Sequence, residues 1–124
     1  MASPIKNKVN AVFIPVRDVQ KAKEWYSKML GIENGEVYFD HIYAAEMEGA
    51  GMILDTMPMW RRENEELPTF NVPAVQFGTD DIKESFQFMK ENGVELVTDI
   101  QHDHFFVFKD PDGNMLMVCE DNKE

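Results

Sequence analysis

A chain of 124 residues that is 44% hydrophobic, 11% aromatic and 28% charged has the composition of one folded domain, not of a disordered segment. Twelve basic residues against 23 acidic ones leave a formal charge of −11, which argues against nucleic-acid and anionic-membrane partners, since both need a basic surface. The single cysteine, Cys119, rules out an intrachain disulfide and a multi-cysteine zinc framework. No apolar leader or membrane-length run is visible, so a reducing cytoplasmic compartment is the expectation.

In chain order, Met1 to Lys8 is a polar lead-in, and Ala11 to Val16 is an apolar, β-branched run predicted as a strand. Pro15 marks that strand as an edge or marks its end. Asp18 has the chemistry of an N-cap for a helix over Val19 to Leu30, with Gly31 as its stop. Val19, Ala22, Trp25, Tyr26 and Met29 give that helix one apolar stripe. Tyr43 to Met47 and Gly51 to Leu54 read as strands. Residues 56 to 71 carry prolines and charge around Trp60 and read as a linker. Val72 to Phe77 is a second strand run, with Pro73 again signalling an edge or a strand end. Asp81 and Glu84 have capping-box spacing for a helix that runs to Asn92, before Gly93. Phe105 to Lys109 and Met115 to Val118 are the closing strands, joined by the turn Asp110-Pro111-Asp112-Gly113.

These elements occur twice. A shift of 63 sets Val9-Asn10-Ala11-Val12 over Val72-Pro73-Ala74-Val75, Asp18 over Asp81, Trp25 over Phe88, and Asp40-His41 over Asp103-His104. It also sets Met52-Ile53-Leu54 over Met115-Leu116-Met117. An internal repeat of this order implies one domain over 1–124, with repeat 1 at about 8–55, a linker at about 56–71 and repeat 2 at about 72–121. The fold class is α+β, with each half reading strand, helix, then further strands.

A repeated β-α-β-β-β module carrying Phe13-Ile14-Pro15-Val16-Arg17-Asp18, Trp25-Tyr26, Leu30-Gly31-Ile32 and Asp110-Pro111-Asp112-Gly113-Asn114 resembles the vicinal oxygen chelate superfamily. This is the glyoxalase/bleomycin-resistance/extradiol-dioxygenase group. The resemblance implies a mixed sheet curled around a cavity, helices packed outside, and homodimers that complete the cavities. It also implies a divalent metal held by side chains on the first and last strand of each module. At the matching positions stand Ala11, Leu54, Ala74 and Met117, all apolar, which cannot supply the oxygen and imidazole donors of such a site.

The resemblance and strand alternation together predict a cavity lined by Ala11, Phe13, Met52, Leu54, Ala74, Gln76, Met115, Met117 and Cys119. Such a lining suits apolar or aromatic small molecules, with Gln76 as its neutral polar handle. Trp60 and Arg61, with Arg62 and the run Glu63 to Glu66, form a candidate lid; a self-paired charged surface loop is the plainer account. His102 and His104 would share a strand face and could bind metal with His41, Glu46 or Asp55. As turn residues next to aspartates they would instead be solvent-exposed and unliganded. Asp55 is expected to point away from the cavity unless the strand slips. Cys119 reads as core packing more than as a nucleophile, with Glu120 beside it and no base adjacent. The leading expectation is a metal-free small-molecule binder without cofactor. Its rivals are a lyase, isomerase or dioxygenase with atypical metal ligands, and a partner-binding domain with a filled core.

Overall fold

Two aspartates, a glycine and an asparagine set the limits of the helices. In the computed structural model, which describes residues 3–61 and 66–121, Asp18 accepts the backbone N–H groups of Gln20 and Lys21 at 3.0 and 3.1 Å and opens α1, Val19–Leu30. Gly31 closes it at φ 65°, a left-handed conformation that glycine adopts without a Cβ penalty. Asp81 accepts the Glu84 N–H at 3.0 Å and opens α2, Ile82–Glu91, with Asn92 at its end.

The strands are β1 (Ala11–Pro15), β2 (Glu36–Tyr38), β3 (Ile42–Ala45), β4 (Gly51–Asp55), β5 (Gln76–Thr79), β6 (Glu95–Leu96), β7 (Phe105–Lys109) and β8 (Met115–Glu120). They form two four-stranded mixed sheets, β1-β4-β3-β2 and β5-β8-β7-β6, which do not close into a barrel. In each sheet the first strand runs parallel to the last, and the other pairs are antiparallel. The proline-bearing β1 is an edge strand, as its sequence requires. In the second half the strand begins three residues after Pro73 and extends to Thr79, so Val72 to Val75 lies outside it. The short β2 and β6 have no counterpart among the sequence-predicted strands.

One face of each sheet packs on the helices. Ile14, Tyr43, Met52 and Leu54 from the first sheet, and Phe77, Phe106, Leu116 and Val118 from the second, join Tyr26, Ile82 and Met89 of the helices in a single buried cluster. α1 contacts β3 and β4, while α2 contacts β6 and β8. The opposite, helix-free faces carry the alternate residues.

The halves are joined by a buried polar cluster. The Tyr26 hydroxyl donates to Asp110 Oδ2 at 2.5 Å, and Asp110 Oδ1 accepts the N–H groups of Asp112 and Asn114, both at 2.9 Å. Asn114, fully buried, donates to the Pro15 carbonyl at 2.7 Å and to Asp110 at 2.9 Å, and its carbonyl accepts the Phe70 N–H at 2.9 Å. Arg17 adds an exposed pair with Asp112 at 3.0 Å. The Trp25-Tyr26 and Asp110 to Asn114 motifs, 84 residues apart at Tyr26 and Asp110, are therefore two sides of one contact.

Burial, and then the negative charge of Asp110, push the Tyr26 phenol far above its ordinary range. A phenol held neutral in the fold contributes stability that is whole below the unfolded value near 10 and is lost as pH rises beyond it. Tyr26→Phe should cost about 1.5–3 kcal/mol at neutral pH, the range for a hydrogen bond to a charged group. The same variant should lose less stability than the parent between pH 9 and 11. Urea unfolding followed by circular dichroism across that range reads both effects.

Candidate functional site

Strand register decides which side chains share a face. Phe13 pairs with Ile53, Ile53 with Ala44 and Ala44 with Glu36; one row further, Pro15, Asp55, Ile42 and Tyr38 align. The helix-free face of the first sheet therefore carries Ala11, Phe13, Ile53, Asp55, Ala44 and Tyr38. Met52 and Leu54 register with Val12 and Ile14, are fully buried, and sit in the core against the helices. The expectation that they line the cavity is thus corrected by one residue of parity. In the second sheet Gln76 pairs with Met117 and Met117 with Val107, so the counterpart of Met117 beside Phe13 is Ile53, not Leu54. The repeat is offset by 63 at β1 and β5 and by one more at β4 and β8.

The remaining lining candidates, Ala74 apart, share helix-free faces. Ala11 is half-buried and Phe13 is 48% exposed. Gln76 is exposed and donates from Nε2 to the Met117 sulfur at 3.2 Å, while Met115, Met117 and Cys119 are half-buried along one face of β8. Ala74 is exposed just before β5. On the first sheet this face holds a groove of about 360 Å³, whose lining includes Ala11, Glu36, Tyr38, Ala44, Gly51 and Ile53. Gln76 borders a separate cleft of about 260 Å³ with Val12, Val75 and Phe77, where the edges of β1 and β5 approach. A depression of about 390 Å³ between Met29, Leu30 and the start of α2 lies on the helix side and includes none of the predicted lining.

The four positions at which the resemblance implies metal ligands, with Ile53 in place of Leu54, present two methyls, a branched alkyl and a thioether. They do not fit a hard divalent cation. Among the described residues no group of three or more His, Cys, Asp or Glu side chains is arranged to hold a metal.

The histidines separate into two kinds. Phe39 and Asp40 adopt φ 52° and 62°, and His102 and Asp103 adopt 53° and 54°. Each pair forms the centre of a tight turn, closed by His41 N–H to the Tyr38 carbonyl and by His104 N–H to the Gln101 carbonyl. The repeated Asp-His dipeptides thus reflect shared turn geometry, and His102 lies in a turn instead of beside His104 on a strand. His41 differs: its Nδ1 lies 3.2 Å from Asp55 Oδ1. Asp55 is 7% exposed and also accepts the Met57 N–H at 2.8 Å.

Sequence reasoning placed Asp55 on the far face. Gly51 to Leu54 offers no polar residue from which parity could be read, and the Asp40-His41 dipeptide was the available signal. Beyond Asp55, Pro58–Trp60 forms one 3-10 turn, with Trp60 72% exposed and Arg61 half-buried. Arg62 to Glu65 of the candidate lid lie outside the described residues. The Tyr38 hydroxyl donates to Glu36 at 3.1 Å, which raises its pKa.

The model of the Glyoxalase/Bleomycin resistance protein/Dioxygenase superfamily matches residues 8–118, and the chain belongs to that superfamily. No curated protein matches the sequence. A member of the superfamily from Sphaerobacter thermophilus DSM 20745 has a similar structure, with TM-score 0.74 and 23% identity over 94% of this chain and 98% of its own. An antibiotic binding protein from Streptomyces sp. CB03234 aligns with TM-score 0.72 and 20% identity over 98% of this chain and all of its own (100%). A lactoylglutathione lyase from Agrobacterium tumefaciens aligns with TM-score 0.72 and 15% identity over 94% and 95%. At these identities the likeness is one of fold. No described helix is long and apolar enough to cross a membrane.

The parity assignment has a direct check. Leu54→Ala empties a fully buried site and should cost about 2–5 kcal/mol, whereas Ile53→Ala, on the half-open face, should cost under about 1.5 kcal/mol. Chemical denaturation of the two variants gives the ordering.

Proposed function

We propose that the chain is a small-molecule-binding member of its superfamily that works without the usual metal site. The observation that supports this reading is that the positions corresponding to the implied ligands carry no donor: Ala11 and Ile53 beside Phe13 and Tyr38 on the helix-free face of the first sheet, Met117 beside Met115 and Cys119 on that of the second, and Ala74 just before β5. Apolar and aromatic ligands bind such surfaces by burial of area, and methionines adapt to their outline. An antibiotic binding protein among the solved structures shares the fold, which supports this reading on architectural grounds. Glu36, at the groove, and the −11 charge favour neutral or cationic aromatics over anions. We assign the cytoplasm as its location on the single free thiol.

Tyr38, at the groove, and Phe13, on the same sheet face, are half-exposed, and a second copy of the chain would cover both. A homodimer is therefore part of this proposal. One observation favours an enzyme with atypical metal ligands instead: His41 Nδ1 already lies 3.2 Å from Asp55 Oδ1.

Thermal denaturation against a panel of planar aromatic compounds, neutral and cationic, tests the binding reading. Ligand at 100 times its Kd should add about 2.7 kcal/mol and raise Tm in a saturable way, and Phe13→Ala should weaken the response. Elemental analysis of protein purified without chelator is the counter-test. Stoichiometric metal that is lost in His41→Ala, together with no response to the panel, would replace the binder by the metalloenzyme.

A further inference from the structure

We propose that His41 and Asp55 form a hydrogen-bond-accepting anchor for aromatic ligands that carry a hydroxyl group. This inference rests on the small-molecule-binding reading above and gives it a ligand class. Asp55 belongs to the same face of β4 as Ile53, about 7 Å further along the strand. Its row contains Tyr38, two strands away across Ile42 and so about 10 Å off, and Tyr38 lines the 360 Å³ groove; the pair itself stands outside that lining, beside the groove.

The chemistry of the pair follows from its bonds. Asp55 Oδ1 accepts the Met57 N–H, so it faces His41 as an acceptor, and Nδ1 of His41 must be the protonated nitrogen. In the neutral ring that tautomer leaves Nε2, across the ring from Asp55, with a free lone pair. The His41 side chain is 34% exposed, whereas the carboxylate that orients it is 10% exposed and fixed by two bonds. The ring of Phe39 stacks on His41 with centroids 6.3 Å apart and an interplanar angle of 30°. Phe13, 48% exposed, stands on the same sheet face.

An oriented acceptor beside aromatic rings selects a flat molecule with one O–H donor. The hydroxyl donates to Nε2, and the rest of the ligand covers apolar surface. His102 and His104, the other two histidines, have no such carboxylate partner among the described residues, which makes them internal controls.

Fluorescence titration with 2-naphthol and its methyl ether, 2-methoxynaphthalene, isolates the hydroxyl at nearly constant apolar area. The parent protein should bind 2-naphthol about five- to tenfold more tightly than the ether, the value of one net hydrogen bond. His41→Phe keeps an aromatic ring against Phe39 and should bind both probes with the affinity of the ether. A long-range ¹H–¹⁵N spectrum of the unaltered protein supplies a measurement that needs no variant. The Nε2 resonance of His41 should move on saturation with 2-naphthol but not with the ether, while those of His102 and His104 stay in place. Equal affinity for the two probes, or an unmoved His41 Nε2, overturns the anchor and leaves the apolar groove standing. Failure of both probes to bind overturns the anchor and the groove together.

Discussion

A carboxylate that has left water must find enough donors to replace it, and Asp110 does so by gathering three parts of the chain. It holds its own turn through the N–H groups of Asp112 and Asn114, takes the Tyr26 hydroxyl from α1, and orients Asn114. Asn114 in turn reaches the last carbonyl of β1 and the linker at Phe70. Removing any member would leave buried polar groups unpaired, so the set behaves as a unit and not as a sum of bonds. Neither half could satisfy these groups alone. The docking of the two halves is thus written into polar chemistry at one point, and apolar burial around Tyr26, Phe106 and Phe108 surrounds it.

That placement frees the opposite faces of the sheets. Stability is concentrated on the helix side, in the cluster from Ile14 to Val118 and in the Asp110 contact. Side chains such as Phe13, Gln76 and Met117 contribute less to it, and their identity is open to a ligand's demands. A fold arranged this way supports different chemistries on the helix-free side without rebuilding its core.

What the sequence disclosed and what it hid have separate physical causes. The helices were legible because Asp18, Gly31 and Asp81 are local devices whose geometry needs no tertiary partner. β2 and β6 were not, since strands of three and two residues exist by pairing with β3 and β7 and carry little pattern of their own. The parity of β4 was hidden for another reason. Gly51-Met52-Ile53-Leu54 is apolar on both faces, and alternation cannot be read from a run with no polar member. The repeat then suggested an offset that held at β1 and failed by one residue at β4, which moved Leu54 into the core and brought Asp55 to the face it shares with Phe13.

The same parity explains why apolar residues at the four ligand positions are physically coherent. Carboxylates and imidazoles gathered on a partly buried face repel or desolvate one another unless a cation pays for their proximity. Without a metal, methyl, branched alkyl and thioether groups at Ala11, Ile53, Ala74 and Met117 remove that cost and convert the surface into one that gains from covering itself with an apolar molecule. Asp55 escapes the penalty because it is satisfied locally, by the Met57 N–H and by His41. What remains polar on this face of the first sheet is then self-sufficient before any ligand arrives: Asp55 with His41 at one end, Glu36 with Tyr38 at the side. On the proposed reading a ligand need not neutralise a charge to bind there; it has only to exclude water and offer a hydrogen to the imidazole.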